Sequence, residues 1–225
     1  MIGIIGAMDI EIAKIAEAMS GSEELTHFSI PFLWGKIGEQ QVVLAKSGIG
    51  KVNAAVCAAA MFTEFGADII INTGVAGGLS PDLRQLDLVV SSAFVQHDYD
   101  LSPIGMQKGF IPEINSVTIE SDRELSEKAL SLAGDRAFSG IIATGDSFIA
   151  SSEASARIRN EFGAAACDME GGAIAQVCRL AGIRHLAVRC ISDNADGSAG
   201  MSYDKFSAVA AEKCSKLVLD LMEVI

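Results

Sequence analysis

The chain has 225 residues, half of them hydrophobic and a fifth charged, and its formal net charge at neutral pH is −12. This length and apolar content are enough to bury a large core, and residues 1–225 are expected to form one domain. A nucleic-acid partner is not expected, because binding a polyanion requires clustered Lys and Arg. The composition favours a protein that binds a small molecule.

The cysteines and the apolar runs indicate in which cellular compartment the protein is expected. The cysteines lack any C-x-x-C spacing, and an odd number of them in apolar stretches is typical of a reducing environment; they stand at positions 57, 167, 178, 190 and 214. The longest uninterrupted apolar run, residues 54–62, is about half of a membrane span. Residues 1–8 lack the basic leader of a signal peptide. The sequence therefore predicts a cytoplasmic protein with no membrane partner.

The N-terminal stretch predicts a strand, a tight turn and an amphipathic helix. The strand covers residues 2–5, the turn covers 6–8, and the helix covers 9–19 with apolar side chains at helical spacing. Glu11 falls in the first turn of this helix, near the carboxyl end of the strand. Its position favours two interpretations equally: it complements the helix dipole, or it lines a ligand crevice.

Residues 25–46 predict short antiparallel strands, with turns near Gly35 and at residues 38–39. The sequence Ser-Gly-Ile-Gly-Lys follows at 47–51 and leads into an alanine-rich helix over 52–65. This glycine-rich segment is not a P-loop, because the first glycine of that motif is replaced by alanine and a valine follows the lysine.

A strand over residues 68–72 leads into a second glycine-rich segment at 73–78, predicted as a turn. Glycines at the end of a strand allow backbone N–H groups to approach a ligand, although a plain tight turn has the same composition. The next strand, 88–95, precedes a long irregular stretch over 97–116. A loop of that length in a compact domain is usually functional or covers a partner.

The second half of the chain continues the alternation of helices and strands. A polar-faced helix covers 121–133, and a strand over 139–143 delivers the sequence Thr-Gly-Asp-Ser-Phe-Ile at 144–149. Phe148 in this polar segment is equally compatible with a core position and with stacking on a ligand. The chain closes with an amphipathic helix over 203–222.

The most informative stretch runs from residue 167 to residue 196. It reads as the end of a buried strand, a small-residue turn into a helix, and a second buried strand ending at 191–193. Glu170 and Asp193 each follow a strand end, and the carboxyl ends of parallel strands open onto one crevice. Both acids also suit a helix start or a turn. Their apolar surroundings favour shifted pKa values and acid–base chemistry.

Strands and helices that alternate, with glycines at the strand ends, predict an α/β fold in one domain with a central mixed, twisted β-sheet flanked by helices. The three histidines, at positions 27, 97 and 185, show no zinc-ligand spacing. No metal and no organic cofactor are expected.

Six motifs, in order and with their spacing, resemble bacterial 5′-methylthioadenosine/S-adenosylhomocysteine nucleosidases, members of the purine nucleoside phosphorylase superfamily. They are Gly-Ala-Met-Asp-Ile-Glu (6–11), Ser-Gly-Ile-Gly-Lys (47–51), Asn-Thr-Gly-Val-Ala-Gly-Gly (72–78), Gly-Asp-Ser-Phe-Ile (145–149), Asp-Met-Glu-Gly (168–171) and Arg-Cys-Ile-Ser-Asp (189–193). The resemblance implies a nucleoside phosphorylase-like fold and a hydrolase of methionine salvage that cleaves the N-glycosidic bond.

The resemblance also implies a role for each residue of the site. Asp193, steered by Ser192, is the acid that protonates adenine. Glu11 is the base that activates water. Glu170 accepts hydrogen bonds from the ribose hydroxyls, with Met169 against the sugar.

The remaining roles concern the adenine, the water and the neighbouring subunit. Phe148 stacks on adenine, the Ile149 backbone reads its edge, and Arg189 supports Glu11 and the water. The pocket is further lined by Met8, Ile49, Ala76, Gly77 and Tyr203. The resemblance implies a homodimer in which one loop closes the partner's pocket for the 5′ substituent through Leu101, Ile104, Met106 and Pro112.

Two other functions are compatible with parts of this pattern. A phosphate-dependent purine nucleoside phosphorylase would require a cationic phosphate pocket, and no arginine-rich loop lies near Gly6. An adenosine-binding sensor without turnover would be favoured if one of the three acids were missing, and all three are present. The physiological nucleoside stays open, because 5′-deoxyadenosine and aminofutalosine would suit the same contacts.

Overall fold

The computed structural model describes residues 1–225, with every side chain except that of Met201. The helices are α1 (Asp9–Ala18), α2 (Lys51–Glu64), α3 (Arg123–Ala133), α4 (Ser152–Phe162), α5 (Gly171–Ala181) and α6 (Ala199–Met222). The strands are β1 (Ile2–Gly6), β2 (Ser20–His27), β3 (Ile30–Ile37), β4 (Gln40–Lys46), β5 (Ile69–Gly78), β6 (Leu88–Gln96), β7 (Ile119–Glu120), β8 (Ala137–Thr144), β9 (Ala166–Asp168) and β10 (Arg184–Asp193).

All strands belong to one mixed sheet with the order β10-β6-β8-β9-β5-β1-β4-β3-β2, and β7 pairs with β6. β10 also pairs with β5, so that β5, β9, β8, β6 and β10 form a closed ring. β1, β4, β5 and β10 run parallel to one another. β9 runs antiparallel to β5, and β6 runs antiparallel to β10. The predicted α/β fold with a mixed sheet is confirmed.

Helices cover both faces of the sheet, which is why the central strand β1 is apolar and buried throughout. In β1, Ile4 packs into the cluster formed with α1 and α6, whereas the next residue, Ile5, packs into the cluster formed with α2 and α5. Successive side chains of a strand point to opposite faces, so this short strand contributes to both cores.

The first hairpin differs from its prediction. Gly35 was expected at a turn, but it lies inside β3 and pairs with Val42. The chain reverses at Phe28 and Ser29, whose φ angles of 52° and 62° lie in the left-handed region. Asn and Gly are the usual residues of such a turn, so the sequence carried no signal for it. Gly35 is required for close packing, because a Cβ there would lie 2.9 Å from the Ser20 carbonyl oxygen.

The glycine-rich segment 73–78 is not a turn as predicted, because β5 continues through it to Gly78. The glycines let β5 lie unusually close to its neighbours. A Cβ on Gly77 would lie 3.0 Å from Cys167 Sγ, and one on Gly78 would lie 3.2 Å from Ile191 Cγ2. The composition therefore reflects close strand contact rather than a change of direction.

Two further elements depart from the expected boundaries. Helix α4 was not predicted, although Ser151 caps it by accepting a hydrogen bond from the Ala154 N–H. The stretch 97–116 is not structureless, since it contains 3₁₀ turns at Ser102–Ile104 and Pro112–Ile114. None of the helices in the described chain is long and apolar enough to cross a bilayer.

A buried cation joins three strands of the ring. Arg189 on β10 is 1% exposed. Its Nη2 lies 2.6 Å from Asp168 Oδ2 on β9, and its Nη1 lies 3.2 Å from the Asn72 carbonyl oxygen on β5. Buried charges persist only when they are paired and hydrogen-bonded, so this pair ties the strand ends together.

Replacing Arg189 with leucine should lower the free energy of unfolding by about 3–5 kcal/mol, because Asp168 would be left as an unpaired buried charge. The matched control is Arg184→Leu in the same strand, where the arginine is paired with Asp122 on the surface. Exposed pairs contribute about 0–1 kcal/mol. Urea unfolding of the two variants checks this, and equal losses would contradict it.

Candidate active site

A cavity of about 420 Å³ opens where the carboxyl ends of β1, β5, β9 and β10 meet. The size is that of a small-ligand site. Its walls are Ala7, Met8, Glu11, Ile49, Val75, Ala76, Gly77, Ser147, Phe148, Ile149, Cys167, Asp168, Met169, Glu170, Ser192, Asp193 and Tyr203.

The cavity brings together all the site residues predicted for this subunit except Arg189. Arg189 lies behind the wall, where it contacts Asp168 and Asn72 rather than the open space. The four residues predicted for the partner's pocket do not line the cavity of their own chain, and Ile104 among them is 71% exposed. The predicted set did not include five residues of the walls, although all but the cysteine stand inside one of the six motifs: Ala7, Val75, Ser147, Cys167 and Asp168.

Glu170 and Asp193 share the cavity for a reason other than the predicted one. The prediction assumed parallel strands, but β9 runs antiparallel to β5 while β10 runs parallel to it. Gly77 of β5 pairs with Cys167 on one side and with Asp193 on the other. Closure of the ring at Gly77 therefore brings the ends of the two strands together.

Glu11 fits both of its predicted interpretations, since it lies at the start of helix α1 and also lines the cavity. Its Oε2 accepts hydrogen bonds from the N–H groups of Ala7 (2.8 Å) and Met8 (3.0 Å) at the start of α1, and its Oε1 accepts one from Val75 (2.9 Å). The carboxylate also faces the cavity. Burial raises the pKa of Glu11, and the hydrogen bond from Val75 and the charge of Arg189 oppose that shift.

Gly74 makes room for this carboxylate. A Cβ on Gly74 would lie 2.4 Å from Glu11 Oε1 and 2.9 Å from its Cδ. Any side chain at this position would displace the Glu11 carboxyl group, since real Cβ atoms do not approach other atoms so closely. The glycine of β5 thus fixes where Glu11 sits in the cavity.

Asp193 is buried at the end of β10 and is held by its neighbours in sequence. Its Oδ2 accepts a hydrogen bond from Ser192 Oγ (2.8 Å), and its Oδ1 accepts one from the Ala195 N–H (2.8 Å). Burial raises the pKa of Asp193, and these two hydrogen bonds partly offset the effect. The net shift favours the protonated form of this carboxyl group.

Glu170 follows β9 and contacts the loop before α2. Its Oε1 accepts a hydrogen bond from the Gly50 N–H at 2.8 Å, and its other oxygen accepts none from the described residues. Burial and the nearby charge of Asp168 raise the pKa of Glu170 to about 7. Because the second carboxyl oxygen of Glu170 has no partner among the described residues, it is available to accept a hydrogen bond from a ligand hydroxyl.

The apolar side of the cavity carries two aromatic rings. Phe148 is half exposed at the mouth, and its ring stands edge-on to that of Tyr203, with 5.9 Å between centroids. The Tyr203 hydroxyl donates to Met8 Sδ at 3.0 Å. An accessible ring of this kind can stack on a planar ligand.

Comparisons with known proteins identify the family. A model of the phosphorylase superfamily matches residues 1–223. The 5′-methylthioadenosine/S-adenosylhomocysteine nucleosidase of Actinobacillus succinogenes is 39% identical to this chain, over 98% of the chain and 97% of that protein. The chain belongs to this nucleosidase family. The resemblance of its six motifs is thereby confirmed.

Solved nucleosidase structures share the whole fold. The Helicobacter pylori nucleosidase mutant with 5′-methylthioadenosine in its active site matches with a TM-score of 0.96 at 36% identity, over 100% of this chain and 98% of that one. The Neisseria meningitidis nucleosidase in complex with methylthio-immucillin-A also gives 0.96, at 37% identity, over 100% and 99%. The Helicobacter pylori futalosine hydrolase gives 0.95 at 36% identity, over 100% and 97%.

The raised pKa values in this nucleosidase predict how its stability depends on pH. Between the normal pKa of Glu170, 4.5, and its folded value of about 7, the folded chain binds more protons than the unfolded chain. The carboxyl group therefore contributes stability below pH 4.5 that is lost as the pH rises through 7. The difference corresponds to on the order of 3 kcal/mol.

Glu170→Gln isolates this contribution, because all other titrating groups are common to both chains. The free energy of unfolding of the wild type, relative to the variant, should fall by that amount between about pH 4.5 and about pH 8, as measured by urea unfolding without ligand. A relative stability that rises with pH over this range would show that Glu170 is ionised in the folded chain.

Proposed function

We propose that this chain hydrolyses the N-glycosidic bond of 5′-methylthioadenosine and S-adenosylhomocysteine, releasing adenine and the 5-thioribose product. The observation that carries the proposal is the pair of buried carboxyl groups, Glu11 and Asp193, in one nucleoside-sized cavity. Its relatives named for this activity cover nearly the whole chain. Cleavage of aminofutalosine is the second candidate, favoured by the likeness to the futalosine hydrolase.

Asp193 serves as the general acid. Burial favours its protonated form, and the Ser192 hydroxyl and the Ala195 N–H fix its orientation. As the C–N bond breaks, its electron pair passes into the purine, and Asp193 gives its proton to N7. Adenine then leaves as a neutral base, and such proton transfers typically contribute ~10²–10⁴ in rate.

Glu11 serves as the general base. Three backbone N–H groups hold its carboxylate, and the charge of Arg189 favours ionisation although burial opposes it. It takes a proton from the water whose oxygen attacks the anomeric carbon. Arg189 acts at a distance here, since it lies behind the cavity and contacts Asp168.

The other walls suit the remaining parts of a nucleoside. Glu170 accepts from the ribose hydroxyls, with Met169 against the sugar. Phe148 stacks on adenine, and the Ile149 backbone reads the edge of the base. Ile49, Ala76 and Gly77 complete the enclosure.

The charges of the cavity favour water over phosphate as the nucleophile. Among the described residues, four acids line the cavity, Glu11, Asp168, Glu170 and Asp193. None of the described lining residues is a lysine or an arginine. A carboxylate ~4 Å from a phosphate costs about 1 kcal/mol per charge pair in water and several times more where water is excluded. A neutral water molecule instead needs such a base. Hydrolysis is therefore favoured over phosphorolysis.

Adenine release from 5′-methylthioadenosine should proceed at equal rates in phosphate-free buffer and in phosphate, and mass spectrometry should identify free 5-methylthioribose. A requirement for phosphate, or a sugar 1-phosphate product, would establish the phosphorylase. Asp193→Asn is the control, because it keeps the shape of the side chain but cannot supply the proton. It should slow release by about 10²-fold or more in both buffers.

The proposed enzyme is a homodimer in the cytoplasm, with a role in methionine salvage. In the single chain, Ile104, Met106 and Pro112 are exposed and Leu101 is half-buried, while Ile49 and Val52 leave an apolar rim beside the cavity. Covering such a surface contributes roughly 25 cal/mol per Å². Five free, buried cysteines are consistent with a reducing compartment.

Light scattering should give the mass of two chains at working concentration. Ile104→Asp should shift the mass toward one chain and raise KM, because a charge would be buried where the loop meets its partner. Leu132→Asp, which alters an exposed leucine on α3, is the matched control and should keep the mass of the wild type. A fully active single chain would rule out the dimer.

A further inference from the structure

The Tyr203 hydroxyl has a hydrogen-bond partner that a ligand could easily replace. It faces the cavity from α6 and donates to Met8 Sδ at 3.0 Å. A thioether sulfur is a weak acceptor, and oxygen acceptors bind a hydroxyl proton more strongly. A ligand oxygen that reached this place would therefore improve the hydrogen bonding of Tyr203.

The part of the ligand that meets Tyr203 follows from the proposed function, on which this inference rests. Asp193 and Phe148 are assigned to the base, and Glu170 to the ribose hydroxyls. Among the cavity walls left without a part of the nucleoside are Met8 and Tyr203, which contact each other. The substituent on C5′ is the part of the nucleoside that remains for them.

The electrostatics of the cavity define which substituent suits this hydroxyl. Burial and the negative charge of Glu11 raise the pKa of Tyr203, so the hydroxyl keeps its proton and acts as a donor at neutral pH. The negative charge of Glu11 also disfavours an anionic acceptor. The favoured acceptor is therefore neutral.

We propose that Tyr203 is a specificity-determining residue, which extends the substrate range to adenine nucleosides with a neutral oxygen on C5′, such as an ether or a hydroxyl. Binding a 5′-thioether exchanges one sulfur acceptor, that of Met8, for another, and gains little. Binding a 5′-oxygen exchanges a weak acceptor for a stronger one. The stronger hydrogen bond from Tyr203 thus offsets the apolar contact that is lost when oxygen replaces the sulfur of the substrate.

The test uses two substrates that differ in one atom, 5′-methylthioadenosine and 5′-O-methyladenosine. Tyr203→Phe keeps the ring that packs edge-on against Phe148 and removes only the hydroxyl. It should lower kcat/KM for the oxygen compound about 5-fold, the effect of one neutral hydrogen bond, and change kcat/KM for the sulfur compound less than about 2-fold. Dissociation constants for the two compounds should show the same selectivity.

The matched control is Tyr99→Phe, which alters the second of the two tyrosines, outside the cavity walls. It should leave the ratio of the two kcat/KM values unchanged. Equal losses on both compounds with Tyr203→Phe would assign Tyr203 to packing, and no loss on either would remove any role for the hydroxyl; both results overturn the inference. Failure of the wild type to release adenine from either compound would overturn the proposed hydrolysis, while the dissociation constants would still test Tyr203.

Discussion

The cavity depends on one buried ion pair, between Arg189 and Asp168. Arg189 also bonds to Asn72, so its guanidinium links β5, β9 and β10 where their ends surround the ligand space. Burial opposes the charge of Arg189, but the carboxylates of Asp168, Glu170 and Glu11 raise its pKa. The same cation favours ionised Glu11 and Glu170. Strand geometry and the ionisation of the acids are therefore coupled through one side chain.

The glycines of β5 are the second constraint. Gly74 admits the Glu11 carboxylate to a place that a methyl group would occupy, and Gly77 lies where a Cβ would be 3.2 Å from Asp193 Oδ1. One strand thus positions the proposed base and the proposed acid. Because the strand is also held between β9 and β10, neither carboxyl group can relax away from the cavity without disturbing the ring.

The combination of burial and negative charge explains why the site suits neutral ligands. Burial raises the pKa of both Asp193 and Glu11, but Glu11 is also held by three N–H donors and lies near the charge of Arg189, all of which favour its charged form. Environments that differ in this way allow two carboxyl groups to take opposite roles in one reaction. The neutral donor at Tyr203 adds selectivity without adding charge.

The sequence by itself determined the α/β class, the family and most of the residues around the cavity, because motifs and apolar periodicity are local properties of the chain. It did not determine the turn at Phe28 and Ser29, whose left-handed backbone has no residue signature there. Nor did it reveal that β9 opposes β5, or that Arg189 lies behind the wall. Only the tertiary structure decided these, because strand direction and burial depend on pairings between residues far apart in the chain.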